Sequence, residues 1–333
     1  MAPVIDRTLA LTGDVMLGRL ANDALVRCGP AHPWGNTLPA LCAADLAIVN
    51  LECVIARGGR PWTRWPKVFH FRADPVALTA LRLAGIDGVT LANNHVLDYG
   101  KDALLEMLGL LEQSGMAYAG AGRCDEEARR PALLEARGLR VGVVAFTDNE
   151  PGWAATPTTP GTNWIPITLE EQSLASVREG ISRARAEGAE LVIVSMHWGP
   201  NMVQRPSPLF RAFAHAIMEA GANLLFGHSA HIVQGIEIYQ GRPIIYDAGD
   251  FVDDYAVDPM RRNDWGLLFR VHVAETAVWR IELDPVLIEN CQVNLAIGAA
   301  HHAIAERIHA LAAETGTYVH RAGDRLWIEC TAS

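Results

Sequence analysis

The sequence has no run of about 18 apolar residues, the length that a membrane-spanning helix needs, so no membrane insertion is expected. Cysteine is sparse and scattered. Cys28, Cys42, Cys53, Cys124, Cys291 and Cys330 include no C-x-x-C pair, which argues against a disulfide framework or a cysteine zinc knuckle. Buried free thiols in a reducing compartment are the simpler expectation. The start, MAPVIDRTLALTGD, lacks a basic segment followed by an apolar run of signal-peptide length, and a cytoplasmic location is expected. Basic residues are also in the minority. With 28 Lys and Arg against 38 Asp and Glu, the formal net charge is −10. That balance disfavours broad electrostatic binding to nucleic acid or anionic lipid, which needs a basic face, while leaving room for a small local anion site. There is no internal repeat, low-complexity tract or clear linker.

What is present is globular: half of the 333 residues are hydrophobic and a fifth are charged. Short, near-continuous apolar runs recur at Thr8–Thr12, Leu46–Val49, Gly88–Leu91, Val141–Phe146, Leu191–Ser195, Asn223–Phe226 and Pro243–Tyr246. Such runs predict strands buried on both faces, as in sheets covered by helices. Helical segments lie between them. One opens at Asp74-Pro75 and ends near Gly85, and another spans Gly100 to Gly115. Thr168 and Glu171 form a capping-box pattern ahead of an amphipathic stretch ending at Gly188, and Ser207-Pro208 starts a helix that stops near Gly221. The alternation predicts an α/β fold. Arg57–Asp74 and Asp148–Pro166 read as long loops of functional character. Strands at Gly266–Val273 and Ala277–Leu283, a helix near His301–Ala313 and a strand near Arg325–Cys330 complete the chain. The expected division is one domain over 1–290 with a helix–strand extension, 291–333, packed on it.

The chemistry gathers at the strand ends. Thr8–Thr12 runs into Gly13-Asp14, Leu46–Val49 into Asn50-Leu51-Glu52, and Gly88–Leu91 into Asn93-Asn94-His95. Leu191–Ser195 runs into His197-Trp198-Gly199, and Asn223–Phe226 into Gly227-His228-Ser229-Ala230-His231. In α/β sheets, ligands bind outside the carboxyl ends of the strands, so these segments converge on one edge. Asp14, Glu52, Asn94, His197, His228 and His231 form a mixed oxygen and nitrogen ligand set suited to one or two divalent ions of Mn, Fe or Zn. Two ions sharing a carboxylate typically lie about 3.5–4 Å apart. Their surplus positive charge would draw an anionic substrate and acidify a water into a nucleophile.

The strings LTGDVMLGR, IVNLECVI, LANNHVLDYG, VSMHWGP and FGHSAHIVQGIE together resemble the CapA family of poly-γ-glutamate capsule proteins, a branch of the calcineurin-like metallophosphoesterases. The resemblance runs from about residue 8 to about residue 285. It implies a four-layer αββα sandwich of two mixed β-sheets with a dinuclear site at one edge. In that frame Asp14 is the first-motif aspartate, Glu52 the bridging acid, and Asn94 and His197 further ligands. His95 stabilises or protonates the leaving group, and Asp98 orients it. Two positions depart from the pattern. Met16 stands where the phosphoesterases carry the histidine of D-x-H, and Ser229 stands where many capsule relatives carry a histidine. Which of His228 and His231 binds metal is therefore left open.

Other residues have blander readings beside functional ones. Arg19 and Arg205 follow metal motifs, and Lys67 lies in a loop rich in Arg and Trp; all three are candidates for binding substrate anions. Asp247, Asp250, Asp253 and Asp254 read as a solvated acidic turn, one of which could reach the metals in place of the missing histidine. His301, His302 and His309 read as surface residues of a helix. The functional expectation is a metal-dependent hydrolase acting on a small or polymeric anionic substrate, either a phosphoester or an amide-bearing acid. The rival is a non-catalytic capsule-assembly subunit, with capsule-synthesis proteins or a second copy of the chain as partners.

Overall fold

The computed structural model describes residues 5–330. Ten strands form the larger sheet. Its main path begins with the carboxyl-terminal hairpin His320–Ala322 and Arg325–Glu329, followed by Ala277–Glu289 and Trp265–Ala274. It continues through Asp6–Val15, Leu46–Leu51, Gly88–Thr90 and Ala117–Ala119. Pairing is antiparallel up to Asp6–Val15 and parallel beyond it. The six-stranded sheet runs Ile236–Tyr239, Arg242–Ile245, Leu224–His228, Leu191–His197, Leu139–Thr147 and Ala132–Ala136, antiparallel at its two outer pairs and parallel within.

Apolar side chains sort into three cores, which define the layers. Leu9, Leu11 and Ile48 of the large sheet pack with Val141, Ile193 and Phe226 of the smaller one, so the sheets lie face to face. Behind the large sheet, Val49 and Val89 pack against Leu81, Leu104 and Leu108 of the helices Val76–Leu83 and Gly100–Ser114. Behind the small sheet, Val192 and Val194 pack against Val177, Ile181, Phe213 and Ile217 of the helices Glu171–Ala186 and Pro208–Glu219. Each helix buries an apolar stripe at i, i+3 and i+4 spacing, and a strand buried on both faces has no polar side to alternate with. The result is a four-layer sandwich of helix, sheet, sheet and helix, as the family resemblance implied. The helix Gly298–Ala313 packs Ile304, Ala305 and Ile308 into the core between the sheets.

Several local expectations are corrected. The helix expected to begin with a Thr168 capping box starts at Glu171 without a side-chain cap, because Thr168 Oγ1 is 3.0 Å from Ser173 Oγ instead. Cys28 and Cys42 are exposed rather than buried; only Cys53 and Cys330 are fully enclosed. His301 is buried, its Nε2 within 2.9 Å of Asp324 O, whereas His302 and His309 are exposed as expected. Arg57–Asp74 and Asp148–Pro166 are largely irregular but carry the short strands Arg72–Ala73 and Gly161–Thr162. Among the described residues no helix is long and apolar enough to cross a membrane.

Candidate metal centre

The parallel strands of both sheets deliver their carboxyl ends to one cleft. Register fixes the neighbours: Asp14 lies beside Asn50 on one side and Asp250 on the other, and His197 lies beside His228. All of the expected ligands come together there. Asp14, Glu52, His197 and His228 are buried, and His95 and His231 nearly so.

On one flank the imidazoles satisfy one another. Ser195 Oγ is 2.8 Å from His228 Nε2, and the two Nδ1 atoms of His228 and His197 are 2.8 Å apart. His197 Nε2 is 2.9 Å from Asn94 Oδ1. One tautomer satisfies the whole chain. The serine donates to His228, His228 donates through Nδ1 to His197, and His197 donates through Nε2 to the Asn94 amide oxygen. Asn50, buried in the centre, donates to Asp14 Oδ1 at 2.6 Å and accepts from Thr90 Oγ1 and Asn93 Nδ2.

The other flank is built from carboxylates that have no such partners. Asp14, Glu52, His231 and Asp250 offer ligand atoms all within 4.8 Å of one another, and Asp14, His197 and His228 form a second such group. Asp14 Oδ2, Glu52 Oε1 and Asp250 Oδ2 are buried without a hydrogen-bond donor among the described residues. Burial pushes the Asp14 carboxyl up to about 6, and it drives Glu52 and Asp250 well above the usual carboxylate range, with neighbouring carboxylates adding to the rise. Burial alone would lower His231, but Glu52, Asp14, Asp247 and Asp253 outweigh it and raise that imidazole. Burial holds His197 well below the ordinary histidine value and His228 down to about 3, so both stay neutral, as metal ligation requires. Acceptors without donors beside neutral imidazoles fit a divalent cation, which would satisfy the orphaned oxygens and offset the crowded negative charge.

His95 borders this cleft. Its Nδ1 is 2.6 Å from Asp98 Oδ2, its ring stacks on Phe71 at 3.9 Å, and its Nε2 is 3.8 Å from Glu52 Oε1. Burial, and then the positive charge of Lys67, hold His95 well below its ordinary value. Burial raises Asp98 to about 7. A cavity of about 400 Å³ opens beside these groups, and Arg19, Lys67, Phe69, Asn94, His95, His231 and Tyr255 contribute to its wall.

The candidate substrate-binding residues separate. Arg19 lines the cavity, its guanidinium over the rings of Phe69 and Phe71 and its Nε paired with Asp254 at 3.2 Å, its one ion pair among the described residues. Lys67 also lines it, but its ammonium is committed to Asn94 O at 2.7 Å, Glu150 Oε1 at 3.3 Å and Asp98 Oδ1 at 3.5 Å. Arg205 is elsewhere. It points outward and is clamped by both oxygens of Glu314 at 2.7 Å, so its place after a metal motif does not bring it to the cavity. The acidic stretch is also corrected. Asp247, Asp250 and Asp253 are buried, and Asp254 holds Leu20 N and Arg19. Asp250 reaches the centre because Asp250–Val252 pairs with the first strand, a contact across more than two hundred residues that local composition does not reveal.

The profile of the family described as "Bacterial capsule synthesis protein PGA_cap" matches residues 8–255. The chain belongs to that family. Among curated relatives, a "Probable polyglutamine synthesis accessory protein" of Mycobacterium tuberculosis is 38% identical over 287 residues, 74% of each chain. The "Capsule biosynthesis protein CapA" of Bacillus anthracis is 27% identical over 296 residues, covering 87% of this chain and 70% of that one. The "PGA biosynthesis protein CapA" of Bacillus subtilis is 26% identical over 279 residues, covering 83% and 70%. The two departures from the family pattern now have geometry. Met16 is fully buried with its Sδ accepting from Gly18 N at 3.1 Å. Ser229, at φ 113°, bonds Asn149 and Gly199 O. Sequence reading gave no role to Asn50 or Tyr255. Asn50 had a usable signal, being polar within an otherwise apolar strand.

Proposed function

We propose that this member of the capsule-synthesis family is a metal-dependent hydrolase acting on an anionic substrate. The observation that carries this reading is the set of donorless carboxylate oxygens, on Asp14, Glu52 and Asp250, grouped with buried imidazoles beside an open cavity. In this reading Asp14, Glu52, His231 and Asp250 hold one ion, and Asn94, His197 and His228 the other, with Asp14 common to both groups. Divalent ions there would supply Lewis acidity and a nucleophile at neutral pH. The Mn, Fe and Zn class fits the mixed donor set.

The protein's own groups do the rest. Asp98 Oδ2 accepts a hydrogen bond from His95 Nδ1, which fixes the tautomer and leaves Nε2 of the neutral ring facing the cleft, where it would take up the proton given off by the attacking water and pass it to the leaving group. Lys67 holds the His95–Asp98 pair and ties it to the loop bearing Glu150. Arg19 keeps its terminal nitrogens for an anionic group of the substrate, and the rings of Phe69, Phe71 and Tyr255 keep that wall apolar. The relatives' names speak of capsule and polyglutamine or PGA synthesis, which supports a polymeric, amide-bearing acid as substrate and capsule-synthesis proteins as partners. A phosphoester is the alternative that suits the same cation-rich centre. The exposed thiols Cys28 and Cys42 suit a reducing, cytoplasmic setting.

The word "accessory" in one relative's name favours a second reading, a non-catalytic subunit that keeps the centre for structure. One experiment separates the two: the purified chain is assayed on poly-γ-glutamate and on bis(4-nitrophenyl) phosphate before chelation, after it, and after Mn²⁺ is restored. Cleavage of either substrate that disappears with chelation and returns with Mn²⁺ is expected. A chain that binds metal and cleaves neither is the accessory protein.

A further inference from the structure

We propose that Asp250 is a direct metal ligand that compensates for Met16, completing an oxygen-rich site of Asp14, Glu52, His231 and Asp250 that discriminates less against Mn²⁺ than the imidazole side does. The proposal rests on the metal-dependent reading of the centre, but not on what bond the protein cleaves.

Met16 offers nothing to a hard or borderline ion, because its thioether is turned onto the Gly18 N–H. Asp250 supplies what that position lacks. Its strand lies against the first strand, with Asp14 N donating to Gly249 O at 2.9 Å. The approach needs glycine on both sides: a Cβ on Gly13 would lie 1.9 Å from Gly249 O, and Gly249 itself has φ +71°. Two strands this close bring the carboxylates of Asp14 and Asp250 to the same cleft.

The simplest competing role for Asp250 is orientation. A ligating histidine commonly donates its other ring N–H to a carboxylate, and Asp250 Oδ1 is 2.9 Å from His231 Nδ1. Orientation uses only that oxygen. Among the described residues, Oδ2 is fully buried with no donor, and no Lys or Arg pairs with this carboxylate. Asp253, also buried, is another carboxylate with an orphaned oxygen. A donorless acceptor in a dry space among other carboxylates calls for a cation, and Asp250 offers a carboxylate oxygen within 4.8 Å of ligand atoms of Asp14, Glu52 and His231. Three carboxylates and one imidazole make a harder donor set than the Asn94, His197 and His228 side, so the two positions should differ in metal preference.

The test uses the intact chain. Wild type, Asp250→Asn and Asp250→His are stripped, loaded with Mn²⁺ and Zn²⁺ at equal concentration, and desalted. Bound metal is then measured by mass spectrometry, and Mn²⁺ affinity by electron paramagnetic resonance titration. Asparagine keeps the acceptor toward His231 but is a weak ligand. Outer-sphere variants cost about 10–100-fold in affinity, so a ligand should cost more. Asp250→Asn is expected to weaken Mn²⁺ binding by more than about 100-fold, and Asp250→His to raise the ratio of bound Zn²⁺ to Mn²⁺ above that of wild type. A smaller loss in the asparagine variant overturns the proposal. Should the asparagine variant fail to fold by circular dichroism, the histidine variant decides, an unchanged ratio overturning the proposal. Should neither fold, wild type decides, since anomalous diffraction from crystals loaded with Mn²⁺ alone that places the ion out of contact with Asp250 contradicts the proposal. Metal content separates this outcome from the fate of the enzyme reading. Two bound ions with no hydrolysis sink the hydrolase and leave Asp250 a ligand, whereas a chelation-sensitive hydrolase whose Mn²⁺ binding ignores Asp250→Asn does the reverse.

Discussion

The two flanks of the centre solve the same burial problem in opposite ways. On the imidazole flank, Ser195, His228, His197 and Asn94 form an unbroken hydrogen-bond chain, each polar atom answered by the next. On the carboxylate flank, Asp14, Glu52 and Asp250 each keep a buried oxygen with no donor among the described residues. A buried acceptor left unpaired costs about 1–3 kcal/mol, and more when charged, so the carboxylate flank is the part of the centre that a cation would stabilise most. The imidazole flank can rest without one, and metal entering there must first displace existing hydrogen bonds. On the proposed reading the two positions would fill in order, the carboxylate position first and the imidazole position second.

The largest effect should come from the residue that both flanks share. Asp14→Asn keeps the shape and the contact with Asn50 but removes the charge, and it should release both ions and abolish any hydrolysis. Retention of either ion, by mass spectrometry, would show that the flanks do not share it. Next, His197→Ala should break the imidazole chain and cost one ion while the carboxylate position stays filled. It should also lower stability by about 1–3 kcal/mol in denaturant unfolding, because His228 loses its partner. Loss of both ions in this variant would contradict the independence of the two positions.

A smaller, purely kinetic effect is expected for His95→Ala, since His95 lies beside the ligands without joining their groups. An acid–base histidine contributes about 10²–10⁴-fold, so turnover of an unactivated substrate should fall by that order with metal content unchanged. With a nitrophenolate leaving group, which needs no protonation, the loss should shrink. If metal leaves with the activity, His95 is a ligand and Asn94 loses its place. The smallest effect belongs to Arg205→Ala. Arg205 is exposed and pairs with Glu314 away from the cavity, and such surface pairs contribute about 0–1 kcal/mol. Activity and metal content should match wild type; a raised KM would return Arg205 to the substrate path.

Much of this centre is legible in the amino-acid sequence, because short local patterns carry it. An apolar run followed by Gly-Asp, Asn-Asn-His or His-Trp-Gly marks a strand and what its end presents, and strand ends in α/β folds converge by topology alone. Asp14, Glu52, Asn94, His197, His228 and His231 are all of this kind. The misses are contacts between distant segments. Asp250 belongs to an acidic stretch that reads as solvated until its pairing with the first strand places it in the dry centre. Lys67 reads as a free loop cation, yet it is tied to Asn94, Asp98 and Glu150 by the packing of two long loops. Arg205 fails for the converse reason: proximity in sequence to a ligand says nothing about which way a loop turns afterwards.

The most direct test of the two-position centre is anomalous diffraction from crystals of the Mn²⁺-loaded chain. The account predicts one strong peak in contact with Asp14, Glu52, His231 and Asp250, and a second, weaker one on the His197 and His228 side. A loaded crystal with no peak among the three carboxylates would contradict it.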